Sequence, residues 1–189
     1  MKLKLILSTL FLTSWLVRGQ STFIYDQQST QIVEGTARWN EQPMGQSFTP
    51  SLSSINFVEL RLIDTDGFNH AGSTLSVNVR ANSITGLTLG SSGPIFTPDG
   101  FFGTNTFLFS IPVALTPGIT YYLQTVQAGD HVSSYVTAGY AGGSGISKGV
   151  ASRDYDLWFR EGVLVPEPSS GFLFLLGASL FACSRRARK

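Results

Sequence analysis

Short runs in which apolar and polar side chains alternate occupy residues 20–162, and none of them has the period of a helix. In the clearest run, Leu75, Val77 and Val79 are separated by polar residues. Because successive side chains of a β-strand point to opposite faces, this alternation predicts a strand with one buried and one solvated face. Similar runs predict strands at 58–62, 107–111, 121–126 and 155–160, with weaker candidates at 23–25, 46–49, 87–89 and 131–138.

Glycine and proline residues mark turns between these runs. In segment 115–122, Pro117 presets the φ of the first central residue of a type II turn, and Gly118 supplies the positive φ of the second. Asp-Gly pairs at 66–67 and 99–100 and a glycine-rich run at 139–145 provide further turns. The pattern predicts an all-β chain whose body is a single β-sandwich of the jelly-roll type.

The N-terminal residues have the order typical of a secretory signal. Lys2 and Lys4 precede an apolar run at 5–17, which Arg18 and Gly19 follow. We expect a signal peptide at 1–19 that is cleaved after Gly19. A permanent anchor is the alternative, but the run is shorter than the roughly 20 residues of a spanning helix.

The C-terminal residues have three parts: a Pro-Glu-Pro triplet, a short apolar run and a basic end. They predict a linker at 163–170, a short transmembrane segment at 171–184 and a cytoplasmic basic tail at 185–189, where positive charge is retained. The predicted sandwich domain then covers 20–162. An ordinary membrane anchor after a proline-stiffened linker is the alternative.

This tail closely resembles the PEP-CTERM sorting signal of Gram-negative bacteria. The residues that carry the likeness are Pro166, Glu167, Pro168, Arg185 and Arg186. The resemblance implies that an exosortase, an integral-membrane protease-transpeptidase, recognises and removes the tail during export through the inner membrane. It also implies a final place at the cell surface or in the extracellular matrix of an organism that makes exopolysaccharide and biofilm.

The body resembles bacterial extracellular sandwich domains that are similar to jelly-roll carbohydrate-binding modules. The likeness lies in the order of four stretches, at 45–50, 115–122, 140–143 and 156–160. These stretches consist mainly of turn and core residues. The resemblance therefore implies a fold more than a ligand.

Charge and cysteine content exclude some classes of function. Residues 20–166 contain six basic and eleven acidic residues, a formal charge of −5 that the chain total of +1 conceals. Such a surface repels phosphate backbones, so we expect no nucleic-acid partner. Cys183 is the single cysteine, so the chain cannot form an internal disulfide and its core must hold the fold.

Catalytic motifs are absent from the sequence. It has no HExxH motif, and Ser144 does not complete a GxSxG motif because Ile146 stands at the last position. We therefore expect a protein that is not an enzyme. A glycan-active hydrolase that uses two separated carboxylates, such as Asp64 and Asp156, is the third interpretation of function.

One acidic segment is a candidate structural calcium site. Asp64, Asp66 and Asn69 place oxygen-bearing side chains near Gly67, as calcium loops do. The stretch is only a fragment of such a loop, and Asp-Gly turns are common without metal. We expect no other cofactor.

Aromatic residues are the candidates for sugar contact, because a sugar ring can stack on an exposed indole. Alternation puts Trp158 on the face opposite the core, beside Asp156 and Arg160. Trp39 lies in a polar stretch and is the second candidate, although either ring could instead be packed. The sequence thus predicts an exported, non-catalytic matrix or cell-surface protein with a structural or weak glycan-contact role. A dedicated carbohydrate-binding module for extracellular polysaccharide is the alternative.

Overall fold

The computed structural model describes residues 21–152 and 154–166, and its regular elements there are all strands. The predicted signal peptide and the predicted transmembrane segment lie outside these residues. No helix in the described part is long and apolar enough to cross a membrane. The strands are β1 (Ser21–Ser29), β2 (Ile32–Arg38), β3 (Gly45–Phe48), β4 (Ser54–Asp64), β5 (Ser73–Ala81), β6 (Thr88–Ser91), β7 (Ile95–Thr97), β8 (Phe102–Ala114), β9 (Tyr121–Gly129), β10 (Val132–Thr137), β11 (Gly145–Ser147), β12 (Val150–Ala151), β13 (Asp156–Leu157) and β14 (Phe159–Pro166).

The strands form two seven-stranded sheets. The first has the order β1-β14-β4-β10-β13, with β8 also paired to β4 and β2 to β10. The second has the order β12-β11-β3-β9-β5-β6, with β7 also paired to β5. The prediction of an all-β body is confirmed for the described residues, while the jelly-roll sandwich stays a prediction.

Residues 24–163 form one compact unit, and the described residues 21–23 and 164–166 belong to a second. The core of the first unit follows the predicted alternation: Leu75, Val77 and Val79 of β5 are fully buried. Each such side chain contributes about 1.5–3 kcal/mol through removal of its apolar surface from water. The turn at 117–118 is also confirmed, since Gly118 has a φ of 80°.

The predicted strand at 107–111 is present in β8, but Ile111 does not share its buried face. Phe107 is fully buried, whereas Ile111 is 78% exposed. The cause is a shift in the pairing of β8 with β4 between Ile55 and Phe57. Between these two pairs, β4 has one residue, Asn56, and β8 has four, 109–112. The alternation of buried and exposed side chains along β8 is therefore interrupted at these four residues.

The predicted strand at 155–160 is divided at Trp158. On one side, Leu157 of β13 pairs with β10; on the other, Phe159 of β14 pairs with β4. At the step between them, the Trp158 amide donates to the carbonyl of Tyr135 (2.8 Å). Four consecutive residues, 156–159, are buried. Leu157 and Phe159 pack in the core while Trp158 does not, so the side chains still alternate. The expectation that Trp158 is exposed is nevertheless wrong, because its ring packs on Arg160 and its Nε1 donates to the carbonyl of Thr30.

Strand β14 continues to Pro166. It includes residues 163–166, which the sequence pattern places at the start of the linker. Pro166, the first residue of the Pro-Glu-Pro triplet, is thus the last residue of the strand. The remainder of the triplet lies outside the described residues.

Candidate functional site

Arg160 of β14 lies between two aromatic rings. Its Cζ atom is 4.7 Å from the ring centre of Tyr25 and 5.1 Å from that of Trp158, within cation–π range. Its Nη2 atom lies 2.7 Å from Oε2 of Glu59. Thr106 Oγ1 donates to the other oxygen of Glu59 (3.2 Å). This arginine is therefore both stacked and neutralised by an ion pair.

Arg61 of β4 has a similar aromatic environment without the ion pair. Its Cζ atom is 5.3 Å from the ring centre of Phe102 and 5.4 Å from that of Tyr135. The two rings meet edge to face, with centroids 5.8 Å apart. Among the side chains that the structure describes, no carboxylate forms an ion pair with Arg61.

The strand register places both arginines on one face of the first sheet. Arg160 stands opposite Glu59, and Arg61 follows Glu59 by two residues in β4. Residues in these positions share a face. Leu60 and Leu62 alternate with them and pack in the core, so the arginines lie on the face turned away from it. We call this surface the arginine–aromatic face; it consists of Tyr25, Glu59, Arg61, Phe102, Tyr135, Trp158 and Arg160.

Apolar surface on this face is open to solvent. Phe102 is 59% exposed and Tyr25 is 40% exposed. Leu108 of β8 extends the same face, since it stands opposite Phe57, two residues from Glu59 in β4. A solvent-exposed patch of ring surface with polar neighbours is typical of a binding surface. Rings can stack on the apolar side of a ligand while the guanidinium groups donate hydrogen bonds.

The structure brings together two of the four residues predicted for sugar contact, Trp158 and Arg160. Trp158 is only 6% exposed, and its Nε1 donates to the carbonyl of Thr30 (3.1 Å). Its ring forms a side wall of the face and packs on Arg160. The side chain of Arg160 is 29% exposed.

Trp39 and Asp156, the other two, lie in the interior. Trp39 is fully buried and donates from Nε1 to Ser134 Oγ (2.7 Å). Asp156 is 6% exposed and accepts from Gln46 Nε2 (2.9 Å) and from the Tyr140 amide (3.0 Å). The expectation of an exposed Trp39 is wrong, because its polar neighbours in sequence do not determine where its ring packs.

The residues missed by sequence reasoning are the exposed aromatic ones. Tyr25 lies in a weakly predicted strand, and Phe102 begins a strand that was predicted to start later. Arg61 had a visible signal, since it stands on the predicted polar face of the run at 58–62. Its contact with two rings could not be read from the pattern, because they come from strands distant in sequence.

The three predicted calcium ligands are each engaged in polar contacts within the protein. Asp64 Oδ1 accepts from the Asp66 amide (3.0 Å), and Oδ2 accepts from the Gly100 amide (2.8 Å). Asn69 donates to Asp130 Oδ2 (2.8 Å) and accepts from the Ala71 amide (2.8 Å). The side chains of Asp64 and Asn69 thus connect loops through hydrogen bonds.

Asp66 instead lies near two residues from the β9–β10 turn. Nδ1 of His131 is 2.8 Å from Asp66 Oδ2 and 3.8 Å from Asp130 Oδ1. The hydrogen bond from Asn69, followed by that from the His131 amide, lowers the pKa of Asp130. One imidazole and two carboxylates would suit zinc or manganese better than calcium, which prefers oxygen ligands alone.

The carboxylates considered for a hydrolase, Asp64 and Asp156, are far apart. Asp64 stands opposite Val132, and Asp156 stands opposite Thr137, so most of β10 separates them. At about 3.3 Å per residue this separation is roughly 16 Å. Glycosidase carboxylates are about 5–10 Å apart. The pair is not brought together.

The most perturbed carboxyl group, Glu161, is inaccessible. It is fully buried, and its Oε1 accepts from the Gln27 amide (3.1 Å), while Oε2 has no hydrogen-bond partner among the described residues. Burial, with a smaller contribution from the negative charge of Asp26, raises the pKa of Glu161 to about 8. Perturbed acids often mark active sites, but this one does not reach a substrate from its present position.

Residues 164–189 match the model of the PEP-CTERM protein-sorting motif. The match includes all five predicted sorting residues, from Pro166 to Arg186, and indicates an exported protein that an exosortase, a membrane protein, sorts to the cell surface or beyond it in Gram-negative bacteria. No curated protein matches the chain. The similarity covers the C-terminal end alone and overlaps the strands only at the last three residues of β14.

Proposed function

We propose that the β-body is a non-catalytic, glycan-contacting domain of an exported surface or matrix protein. The arginine–aromatic face is the observation that carries the proposal. Its exposed rings, Phe102 and Tyr25, lie beside guanidinium groups on a sheet that a buried core supports.

The chemistry of this face suits saccharides. A sugar ring has an apolar side that can lie on an aromatic ring, and hydroxyl groups that accept hydrogen bonds from arginine. The face is not a deep pocket, so each contact is weak. A protein presented in many copies in a matrix can still be retained, because multivalency raises the overall affinity without new contacts.

The absence of catalysis is part of the same proposal. Both oxygens of Asp64 and of Asp156 are engaged in hydrogen bonds, and Glu161 is buried. These contacts support a binding or structural role over the hydrolase interpretation. A dedicated module that binds through Trp158 and Trp39 has less support, because neither indole offers an open face.

The test is the binding of the full chain, in mild detergent, to exopolysaccharide from the producing organism. Phe102→Ala should weaken saturable binding at least several-fold, because it removes an exposed ring of the face. Phe96→Ala is the matched control: Phe96 is 69% exposed and belongs to β7 of the other sheet. Equal binding by both variants, or no binding by the folded protein, would favour a purely structural role.

A further inference from the structure

Arg61 and Arg160 have similar aromatic surroundings but a different charge balance. Arg160 is paired with Glu59 at 2.7 Å. Arg61 has no ion-pair partner among the described side chains, and its Nε is buried without a hydrogen bond. Among the side chains that the structure describes, the arginine–aromatic face therefore contains one guanidinium group, that of Arg61, without a carboxylate partner.

We propose that Arg61 binds the carboxylate of an acidic saccharide, with the sugar ring on Phe102. This inference rests on the proposed glycan-contact function and names its ligand class. A guanidinium group matches a carboxylate with two parallel hydrogen bonds, and such charge-assisted bonds are among the stronger ones in proteins. Phe102, 5.3 Å from Arg61 and 59% exposed, offers ring surface at the distance where the carbon skeleton of a uronic acid would lie.

The arrangement of the rings favours this ligand over a bare anion. Phe102 and Tyr135 flank Arg61 and restrict the directions from which a ligand can approach it. An inorganic anion would use the charge and leave the ring surface in water. A uronic acid carries its carboxylate on a ring that has an apolar side, so it uses both.

The net negative charge of the body opposes long-range attraction between Arg61 and an acidic saccharide. Residues 20–166 have a formal charge of −5, which opposes the approach of any polyanion. At physiological ionic strength, charges are screened beyond about 8 Å. Selection for the carboxylate must therefore come from contact with Arg61, and we expect only a modest dependence of the affinity on salt.

The experiment measures binding of the full chain to an oligogalacturonate and an alginate oligomer by calorimetry. Each is compared with the same oligosaccharide after chemical reduction of its carboxylates to neutral alcohols. The wild type should bind at least one acidic oligomer about tenfold more tightly than its reduced form, which corresponds to about 1.4 kcal/mol.

Two variants separate charge from ring contact. Arg61→Gln should remove the preference for the acidic form over the reduced one, whereas Phe102→Ala should weaken binding of both forms and leave the preference in place. Arg61→Lys should recover only part of the preference, because lysine lacks the planar fork. Thermal unfolding of each variant establishes that it is folded.

The outcomes distinguish this inference from the function on which it rests. Equal binding of the acidic and reduced forms by the wild type, or an unchanged preference in Arg61→Gln, would overturn the role of Arg61 and leave glycan contact standing. Failure of the wild type to bind any form, including exopolysaccharide from the producing organism, would overturn both.

Discussion

The carboxylate of Glu59 and the guanidinium group of Arg160 stand directly opposite each other in the register of β4 and β14, with 2.7 Å between Oε2 and Nη2. Glu59 is 6% exposed, so this is a largely desolvated ion pair. The same pair joins two strands at the centre of the arginine–aromatic face. Its loss should therefore affect both stability and the geometry of the face.

Arg160→Met should lower the free energy of unfolding by about 2–4 kcal/mol, because it leaves Glu59 charged and unpaired in a buried position. Urea denaturation at neutral pH measures this. Lys148→Met is the control: the Lys148 side chain is 72% exposed and lies 3.5 Å from Glu41, and exposed pairs contribute at most about 1 kcal/mol. Equal losses of unfolding free energy in the two variants would show that burial does not strengthen the pair between Arg160 and Glu59.

Glu161 should make stability depend on pH. Burial raises its pKa from 4.5 to about 8, so the folded state holds the proton over a range in which the unfolded state releases it. The stability associated with the neutral carboxyl group is complete below the unfolded pKa and is lost as the pH rises through the folded one. The free energy of unfolding should fall by up to about 1.4 kcal/mol per pH unit over this range.

Glu161→Gln should remove this slope, which urea denaturation at about pH 5 and about pH 8 can test. The control is Glu41→Gln. The hydrogen bond from Ser147, and then the charge of Lys148, lower the pKa of Glu41, so its carboxylate is ionised in both states across the range. If the free energy of unfolding of Glu161→Gln depends on pH as steeply as that of the wild type, the raised pKa of Glu161 is contradicted.

The strands could be predicted from sequence because alternation is a local property. Leu75, Val77 and Val79 needed no partner to be recognised as one buried face. Trp158 shows the limit of this reasoning. Its ring lies on the side away from the core, as alternation predicts, but it is only 6% exposed because it packs on Arg160 and donates to the carbonyl of Thr30, contacts that alternation does not reveal.

The contacts within the candidate site depend on how distant strands pair, which the sequence pattern does not reveal. Arg61 meets Phe102 and Tyr135 because β8 and β10 lie on opposite sides of β4. Those pairings bring together residues far apart in sequence, and the alternation within each strand carries no information about them. The type of residue on the polar face could be predicted, while its neighbours could not.

Asp64→Ala should destabilise the loops without any metal. It removes the acceptors of two backbone amides, those of Asp66 and Gly100, and we expect a loss of about 1–3 kcal/mol in the free energy of unfolding. Thermal unfolding with EGTA and with added calcium gives the measurement. The difference in stability between the wild type and Asp64→Ala should be the same with EGTA and with added calcium. A loss seen only with calcium present would instead support the calcium site predicted from sequence.

Processing of the tail is the most direct test of sorting. The match at 164–189 implies that an exosortase acts on the exported protein, so the mature chain should lack the basic residues 185–189. Mass spectrometry of the C-terminal peptide from surface or extracellular material measures this. Changing Glu167 to Ala should leave the tail attached and retain the protein at the inner membrane. Phe102→Ala is the matched control, because it alters the body and not the motif, and it should be processed like the wild type. An intact 185–189 segment on surface-located wild-type protein would contradict sorting by an exosortase, whatever the body binds.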